Sequence, residues 1–166
     1  PYEENHYVSY EGVKDYINSI TSFSPRKYQI EGVYDALRHN RKLLISPTAS
    51  GKSLMIYSIV RYYHAQGEKI LLVLPTTSLV EQMYKDFEDY GWASESYCHK
   101  IYAGKEKRTD LPVTITTWQS VYKLDRSFFE DYGCIIGDEA HLFKSKSLIQ
   151  IMTKLHHAKY RFGFTG

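Results

Sequence analysis

The chain has 166 residues, of which 43% are hydrophobic and 24% are charged. This length suits one domain that buries a proper core, and the composition is ordinary for a globular protein, which excludes a disordered chain. The formal charge of +2 permits a nucleic-acid partner but does not predict one, because dedicated nucleic-acid binders usually carry a larger basic excess.

The cysteines and the apolar runs indicate the cellular compartment in which the protein works. Cys98 and Cys134 show neither CxxC nor Cys/His metal spacing, so we interpret both as free thiols in a reducing compartment. No apolar run is long enough to span a bilayer, and the N-terminus lacks the hydrophobic region of a signal peptide. We therefore expect a cytoplasmic protein with no membrane partner.

The first predicted elements are helical. Residues 1–24 are polar and rich in tyrosine, and we interpret them as an N-terminal extension or linker with one short helix over 10–20. Pro25 starts a new unit. The apolar spacing that follows predicts an amphipathic helix over 26–39.

After this helix, short apolar runs alternate with helical patterns. The runs are bounded by turn residues and predict buried parallel strands over 42–45, 70–74, 113–116, 134–136 and 160–164. The helical patterns cover 53–65, 78–90, 126–132 and 146–157. Gly67 and Gly91 lie where helix C-terminal caps are expected. We interpret residues 97–111 as an exposed loop with a small strand. The alternation predicts an α/β fold with a mostly parallel, doubly wound sheet and helices on both faces.

The first predicted strand runs into residues 46–53, SPTASGKS, and then directly into a helix. A loop in this position binds phosphates through successive backbone N–H groups and the positive end of the helix. Gly51 would let the backbone approach closely, Lys52 would reach the β and γ phosphates, and the Ser53 hydroxyl would bind Mg²⁺. Gly-Lys-Ser alone is a weak signal, because a serine that caps an ordinary helix gives the same letters.

A second motif, DEAH at residues 138–141, follows the fourth predicted strand. Asp138 would hold Mg²⁺, and Glu139 would polarise the attacking water as general base. Neighbouring residues on a strand point to opposite sides, so both acids reach one site only if the strand ends between them. An ordinary acidic strand end would look the same. Two such motifs in this order, each at a strand end, favour an ATP site over chance.

Together, SPTASGKS and DEAH resemble motifs I and II of the superfamily-two helicases and translocases. Other segments resemble further motifs of this family in the same order. They are 25–29 (adenine-reading segment), 74–77 (motif Ia), 116–120 (motif Ib) and 163–166 (start of motif III). The resemblance covers residues 25–166 and is greatest to the UvsW-type recombination helicases of phages.

The resemblance implies a RecA-like P-loop NTPase domain over residues 25–166 that uses ATP and Mg²⁺ to unwind or branch-migrate DNA in recombination, repair or replication. The implied catalytic residues are Lys52, Asp138 and Glu139, and the implied metal ligands are Ser53 and Asp138. The implied ATP contacts are Arg26, Gln29 (to the base edge), Thr48, Ala49, Ser50, Gly51, Lys52 and Ser53.

The implied partner is single-stranded or branched DNA, whose backbone would be contacted by Pro75, Thr76, Thr77, Thr117 and Gln119. The residues that would couple hydrolysis to movement are His141, Thr165 and Gly166. A phage-encoded protein of this kind would work in the host cytoplasm.

Three features depart from the expected patterns. Ser46 stands where the strict phosphate-loop pattern begins with glycine. Ala49 stands where most relatives carry glycine, and alanine restricts the left-handed conformations that glycine permits. The chain also stops at the third motif, so we expect the second RecA-like domain, which supplies arginine fingers, to be absent from it.

Other readings of the same residues stay open. Without the resemblance, ordinary turn capping would explain Thr76, Thr77 and Thr117, and Arg26 could equally be a solvated helix-start arginine. The rival function is a P-loop NTPase with no nucleic-acid partner, such as a kinase or a transport ATPase. A third reading, a non-hydrolysing interaction domain, is disfavoured because Lys52, Asp138 and Glu139 are all present.

Overall fold

The sheet organises the fold. A computed structural model describes residues 8–39, 41–45, 49–102, 108–138 and 158–165. The strands of this part are β1 (Arg41–Ile45), β2 (Ile70–Leu74), β3 (Cys98–Ile101), β4 (Val113–Thr117), β5 (Cys134–Asp138) and β6 (Tyr160–Thr165). They form one sheet in the order β1-β6-β5-β2-β4-β3, and all five neighbouring pairs are parallel. The predicted parallel sheet is confirmed, and the small strand expected within 97–111 is its edge strand β3.

The described helices connect the strands. They are α1 (Tyr10–Ile20), α2 (Lys27–Arg38), α3 (Ala49–Ala65), α4 (Thr77–Asp89), α5 (Ser94–Tyr97), α6 (Trp118–Val121) and α7 (Arg126–Phe129). Gly67 and Gly91, which follow α3 and α4, have φ angles of 84° and 107°. Their predicted capping role is confirmed, since this left-handed region suits glycine. The helix predicted over 146–157 lies outside the described residues.

Both faces of the sheet are covered, as predicted for a doubly wound fold. Alternate residues of β2 enter different cores, because successive strand residues point to opposite faces. Ile70, Leu72 and Leu74 join the larger core, which contains buried residues of α1, α2, α3 and α4. Leu71 and Val73 join a smaller core that also contains residues of α6 and α7. The sheet is thus packed between two helical layers, which fix the position of its carboxyl edge.

Helix α1 is built into the larger core. The Ser9 hydroxyl caps it by accepting from the Gly12 N–H at 3.1 Å. Val13 and Ile17 lie four residues apart, so they share a face, and both are buried in the core. The helix packs against α2 and α3, and its last residue, Ile20, accepts a hydrogen bond from the Tyr57 hydroxyl at 2.7 Å.

Candidate nucleotide-binding site

The carboxyl ends of β1, β6 and β5 lie side by side and form the edge where both motifs were predicted. Ile45, the last residue of β1, pairs with Thr165, and Asp138, the last residue of β5, pairs with Phe164. Neighbouring strands are about 4.8 Å apart, so the ends of β1 and β5 are separated by roughly 10 Å across β6. The fold therefore brings the start of α3 and Asp138 to one edge.

Part of the predicted site is not covered by the structure. The predicted site residues that lie outside the described residues are Thr48, Glu139, His141 and Gly166. For four more, the backbone is described and the side chain is not: Ala49, Ser50, Asp138 and Thr165. The roles assigned to these residues stay predictions.

Gly51 lies buried in the first turn of α3, where two consecutive residues of α2 contact it. The Gln29 side-chain amide donates to the Gly51 carbonyl oxygen at 3.2 Å, while its Oε1 accepts from the Arg26 backbone N–H at 2.8 Å. The Tyr28 hydroxyl occupies the space that a β-carbon at position 51 would fill. Glycine is therefore required here by packing, in addition to any close approach of a phosphate. Gln29 both caps α2 and holds α3, and its contact with adenine stays a prediction.

Lys52 and Ser53 follow in the same turn, and both are half-buried. The Ser53 and Tyr90 hydroxyl oxygens are 2.6 Å apart, and either group can donate the hydrogen bond. Tyr90 is the C-terminal cap of α4, and its ring lies 5.0 Å from the ring of Tyr57 and 5.0 Å from that of Phe23. Burial raises the pKa of the Tyr90 phenol, and the hydrogen bond to Ser53 opposes that rise. The phenol is therefore neutral near pH 7 and can donate or accept.

The predicted nucleic-acid contacts meet further along the same edge, where β2 and β4 end. Leu74 pairs with Thr117, so the start of α4 and the start of α6 are neighbours. Thr76 and Thr77 are exposed there. The Thr76 side chain accepts from the Leu79 N–H at 3.2 Å, so it caps α4.

Thr117 and Gln119 differ in accessibility. Thr117 is buried, and its hydroxyl lies 2.9 Å from the Ser120 hydroxyl, whereas Gln119 is exposed. Trp118 between them is buried in the smaller core. Of the predicted contacts, Thr76, Thr77 and Gln119 are thus the ones whose side chains face solvent, together with part of Pro75, which is half-buried.

Sequence reasoning missed two aromatic residues beside the phosphate-loop helix. Phe23 is 48% exposed, although large hydrophobic side chains are seldom exposed in the described part of the chain. Its flanking serines, just before Pro25, were an available signal, because an isolated aromatic in a polar segment has no helical face to join. Tyr90 carried no such signal, since its partner Ser53 is 37 residues away.

Within residues 8–39, 41–45, 49–102, 108–138 and 158–165, the structure shows neither a membrane-spanning helix nor a cluster of metal-ligating side chains. Within those ranges, no helix is both long and apolar enough to cross a membrane. The same ranges contain no group of three or more His, Cys, Asp or Glu side chains arranged to hold a metal ion.

Comparison with known proteins places the chain in a family. Residues 22–166 match ResIII, described as "Type III restriction enzyme, res subunit". The chain belongs to this family. Among curated relatives, this ResIII domain is 38% identical over 147 residues to the ATP-dependent DNA helicase uvsW of Enterobacteria phage T4. It is 28% identical over 140 residues to the DNA 3′-5′ translocase XPB2 of Sulfurisphaera tokodaii.

The matches cover most of the ResIII domain and a minor part of each relative. They take in 86% and 84% of this chain, but only 29% of the T4 protein and 30% of the Sulfurisphaera protein. The chain therefore spans about 30% of the length of these curated relatives.

Solved structures confirm the fold. The crystal structure of the UvsW helicase from bacteriophage T4 matches with a TM-score of 0.88 at 32% identity, covering 99% of this chain and 62% of that one. The Sulfolobus solfataricus SWI2/SNF2 ATPase core in complex with dsDNA matches with a TM-score of 0.71 at 17% identity, covering 89% of this chain and 33% of that one. The second match shows the fold alone. The predicted RecA-like fold and the resemblance to superfamily-two helicases are confirmed.

Proposed function

We propose that this ResIII domain is the ATP-binding motor domain of a DNA helicase or translocase that acts in recombination, repair or replication. The supporting observation is that the phosphate-loop helix α3 and Asp138 lie at one sheet edge, in a chain 38% identical to an ATP-dependent DNA helicase. A second RecA-like domain in a longer protein would complete the ATP site. The relative from phage T4 also supports a cytoplasmic location, in the host if a phage encodes the protein.

In this proposal ATP binds at the end of β1. Backbone N–H groups of residues 48–51 and the positive end of α3 attract the phosphates, and Lys52 contacts the β and γ phosphates. Arg26 and Gln29 lie on the adenine side. The Gln29 amide nitrogen carries two hydrogens, so it can donate to the base without releasing the Gly51 carbonyl oxygen. The exposed ring of Phe23 offers a stacking surface for the base.

Mg²⁺ fits the chemistry of Ser53 and Asp138, because hydroxyl and carboxylate oxygens are the hard ligands that this ion prefers. The Ser53 hydroxyl carries one proton and two lone pairs, so its hydrogen bond to Tyr90 leaves a lone pair for a metal. Bound Mg²⁺ would neutralise charge on the β and γ phosphates. Glu139 would polarise the attacking water as general base.

The DNA backbone would lie along the ends of β2 and β4. Thr76, Thr77 and Gln119 are exposed at this edge, and hydroxyl and amide groups are common donors to phosphates. The amino end of α4 adds backbone N–H groups and a positive dipole end at the same place. The residues proposed to couple hydrolysis to movement along DNA are His141, Thr165 and Gly166.

ATP hydrolysis by a protein that joins this chain to a second RecA-like domain tests the proposal. Single-stranded or branched DNA should stimulate the rate, whereas equal rates with and without DNA would favour a P-loop NTPase that has no nucleic-acid partner.

Lys52→Ala should abolish turnover. Glu139→Gln should abolish turnover but keep ATP binding, and normal hydrolysis by this variant would show that the general base lies elsewhere. Residues 1–166 alone should hydrolyse ATP poorly, because in this proposal a second RecA-like domain completes the ATP site.

Two glutamine-to-alanine variants distinguish the loss of a DNA contact from a general loss of activity. Gln119→Ala should lower the stimulation by DNA and leave the rate without DNA unchanged. The matched control is Gln66→Ala, which alters an exposed glutamine just after α3, at the opposite edge of the sheet. If both variants behave alike, Gln119 is not a DNA contact.

A further inference from the structure

Ser53 makes a contact that the phosphate-loop pattern does not account for. Its hydroxyl lies 2.6 Å from the Tyr90 hydroxyl, across the interface between α3 and α4. In the pattern, the serine at this position needs only a metal and a phosphate nearby. The Tyr90 phenol adds a hydrogen-bond partner for the serine hydroxyl.

The surrounding residues hold Tyr90 firmly. Tyr57 lies one helical turn after Ser53, so the two share a face of α3, and the Tyr90 ring packs 5.0 Å from the Tyr57 ring. Tyr57 is itself fixed, since its hydroxyl donates to the Ile20 carbonyl oxygen at 2.7 Å and accepts from Arg61 at 2.6 Å. Tyr90 is only 9% exposed. The position of its hydroxyl is therefore set by packing and not by Ser53 alone.

We propose that Tyr90 is a positioning residue for Mg²⁺ at Ser53. The phenol oxygen accepts the Ser53 hydroxyl proton, so the lone pairs of the serine oxygen remain available to the metal. This inference rests on the proposed nucleotide site and adds to it a residue outside its motifs. Hydrogen bonds of this kind orient a metal ligand and make it more basic, and their loss typically weakens metal affinity by about 10- to 100-fold.

The Tyr90 ring also contacts Phe23, the residue proposed to stack on the adenine base. The Phe23 ring stands at 89° to it, with centroids 5.0 Å apart. Tyr90 thus contacts both the proposed base-stacking residue and the proposed metal ligand. Replacing Tyr90 with phenylalanine keeps both ring contacts and removes only the hydroxyl, which isolates the effect on Ser53.

The experiment measures how binding of a fluorescent, non-hydrolysable ATP analogue depends on Mg²⁺. For Tyr90→Phe, the Mg²⁺ concentration that gives half-maximal binding should rise about tenfold, the lower end of the range for such partners. Affinity for the analogue in EDTA should not change. In a Ser53→Ala background, Tyr90→Phe should add no further effect, because the two residues act through one hydrogen bond. Tyr84→Phe, in the helix that Tyr90 caps, is the matched control and should leave the Mg²⁺ dependence unchanged.

Several results would overturn the inference. One is an unchanged Mg²⁺ dependence in Tyr90→Phe. Another is an equal loss of affinity with and without Mg²⁺, which would show that the hydroxyl matters only for packing. A third is an effect that adds fully to that of Ser53→Ala. If the wild-type chain does not bind the analogue at any Mg²⁺ concentration, the proposed function fails as well, and this outcome is distinct from the other three.

Discussion

Gly51→Ala is the substitution whose effect the structure specifies most closely. A β-carbon at position 51 would lie 2.7 Å from Cζ and 2.9 Å from Cε2 of Tyr28, and it would overlap the hydroxyl oxygen. Relief requires either the Tyr28 ring on α2 to move or the packed helices α2 and α3 to shift apart. Overpacking of this kind costs about 1–3 kcal/mol. Alanine favours helix over glycine by about 1 kcal/mol, so the net loss of unfolding free energy should reach up to about 2 kcal/mol.

Urea unfolding of four proteins tests this reasoning: wild type, Gly51→Ala, Tyr28→Phe and the double variant. Tyr28→Phe removes the oxygen that overlaps most but keeps Cζ and Cε2, so it should restore part of the stability lost in Gly51→Ala. The expected coupling free energy is about 0.5–3 kcal/mol. If the two effects are additive in the double variant, or if Gly51→Ala is more stable than wild type, contact with Tyr28 does not cause the loss of stability.

Gly32→Ala is the matched control. Gly32 lies inside α2, and a β-carbon there would approach the Met55 sulfur at 2.8 Å. Methionine is flexible and can move aside. Gly32→Ala should therefore be neutral or stabilising, through the higher helix propensity of alanine.

Further predictions concern stability and reactivity. Thr76→Ala should lower the unfolding free energy by about 1 kcal/mol, because it removes the α4 cap, and Thr77→Ala beside it should cost less in the same urea titration. Ile17→Ala should cost about 2–5 kcal/mol because Ile17 is fully buried, whereas Asn18→Ala, which is exposed, should be close to neutral. Burial raises the pKa of the Cys98 thiol to about 12, so iodoacetamide at pH 8 should modify Cys98 only after unfolding, as mass spectrometry would show. Rapid modification of Cys98 in the folded chain would contradict the burial and raised pKa of this thiol.

The regular elements could be predicted because their signals are local. The apolar run over 70–74 and the helical spacing over 10–20 have the same limits in the structure as in the sequence. Buried strands and amphipathic helices arise from residues a few positions apart, which a sequence displays directly. Both thiols, Cys98 and Cys134, are free, as expected, and the structure shows that both are also buried.

The polar and very short parts could not be predicted in the same way. The helix after the phosphate loop begins at Ala49, about one turn before the predicted start at 53, because apolar periodicity does not register a polar first turn. Helices α5 and α6 have four residues each, too few to show a period. The bonds from Gln29 to Gly51 and from Ser53 to Tyr90 span 22 and 37 residues, and no local pattern encodes them.

ATP binding by this domain, measured by calorimetry in the presence of Mg²⁺, tests the central claim most directly. ATP binding should be saturable, and Lys52→Ala should weaken it by about 10- to 100-fold, the size expected for losing a charge-assisted hydrogen bond of about 1.5–3 kcal/mol. Lys85→Ala, an exposed lysine on α4, should bind ATP like wild type. Absence of ATP binding, or equal affinity of the wild type and Lys52→Ala, would contradict the assignment of this edge of the sheet as the nucleotide site.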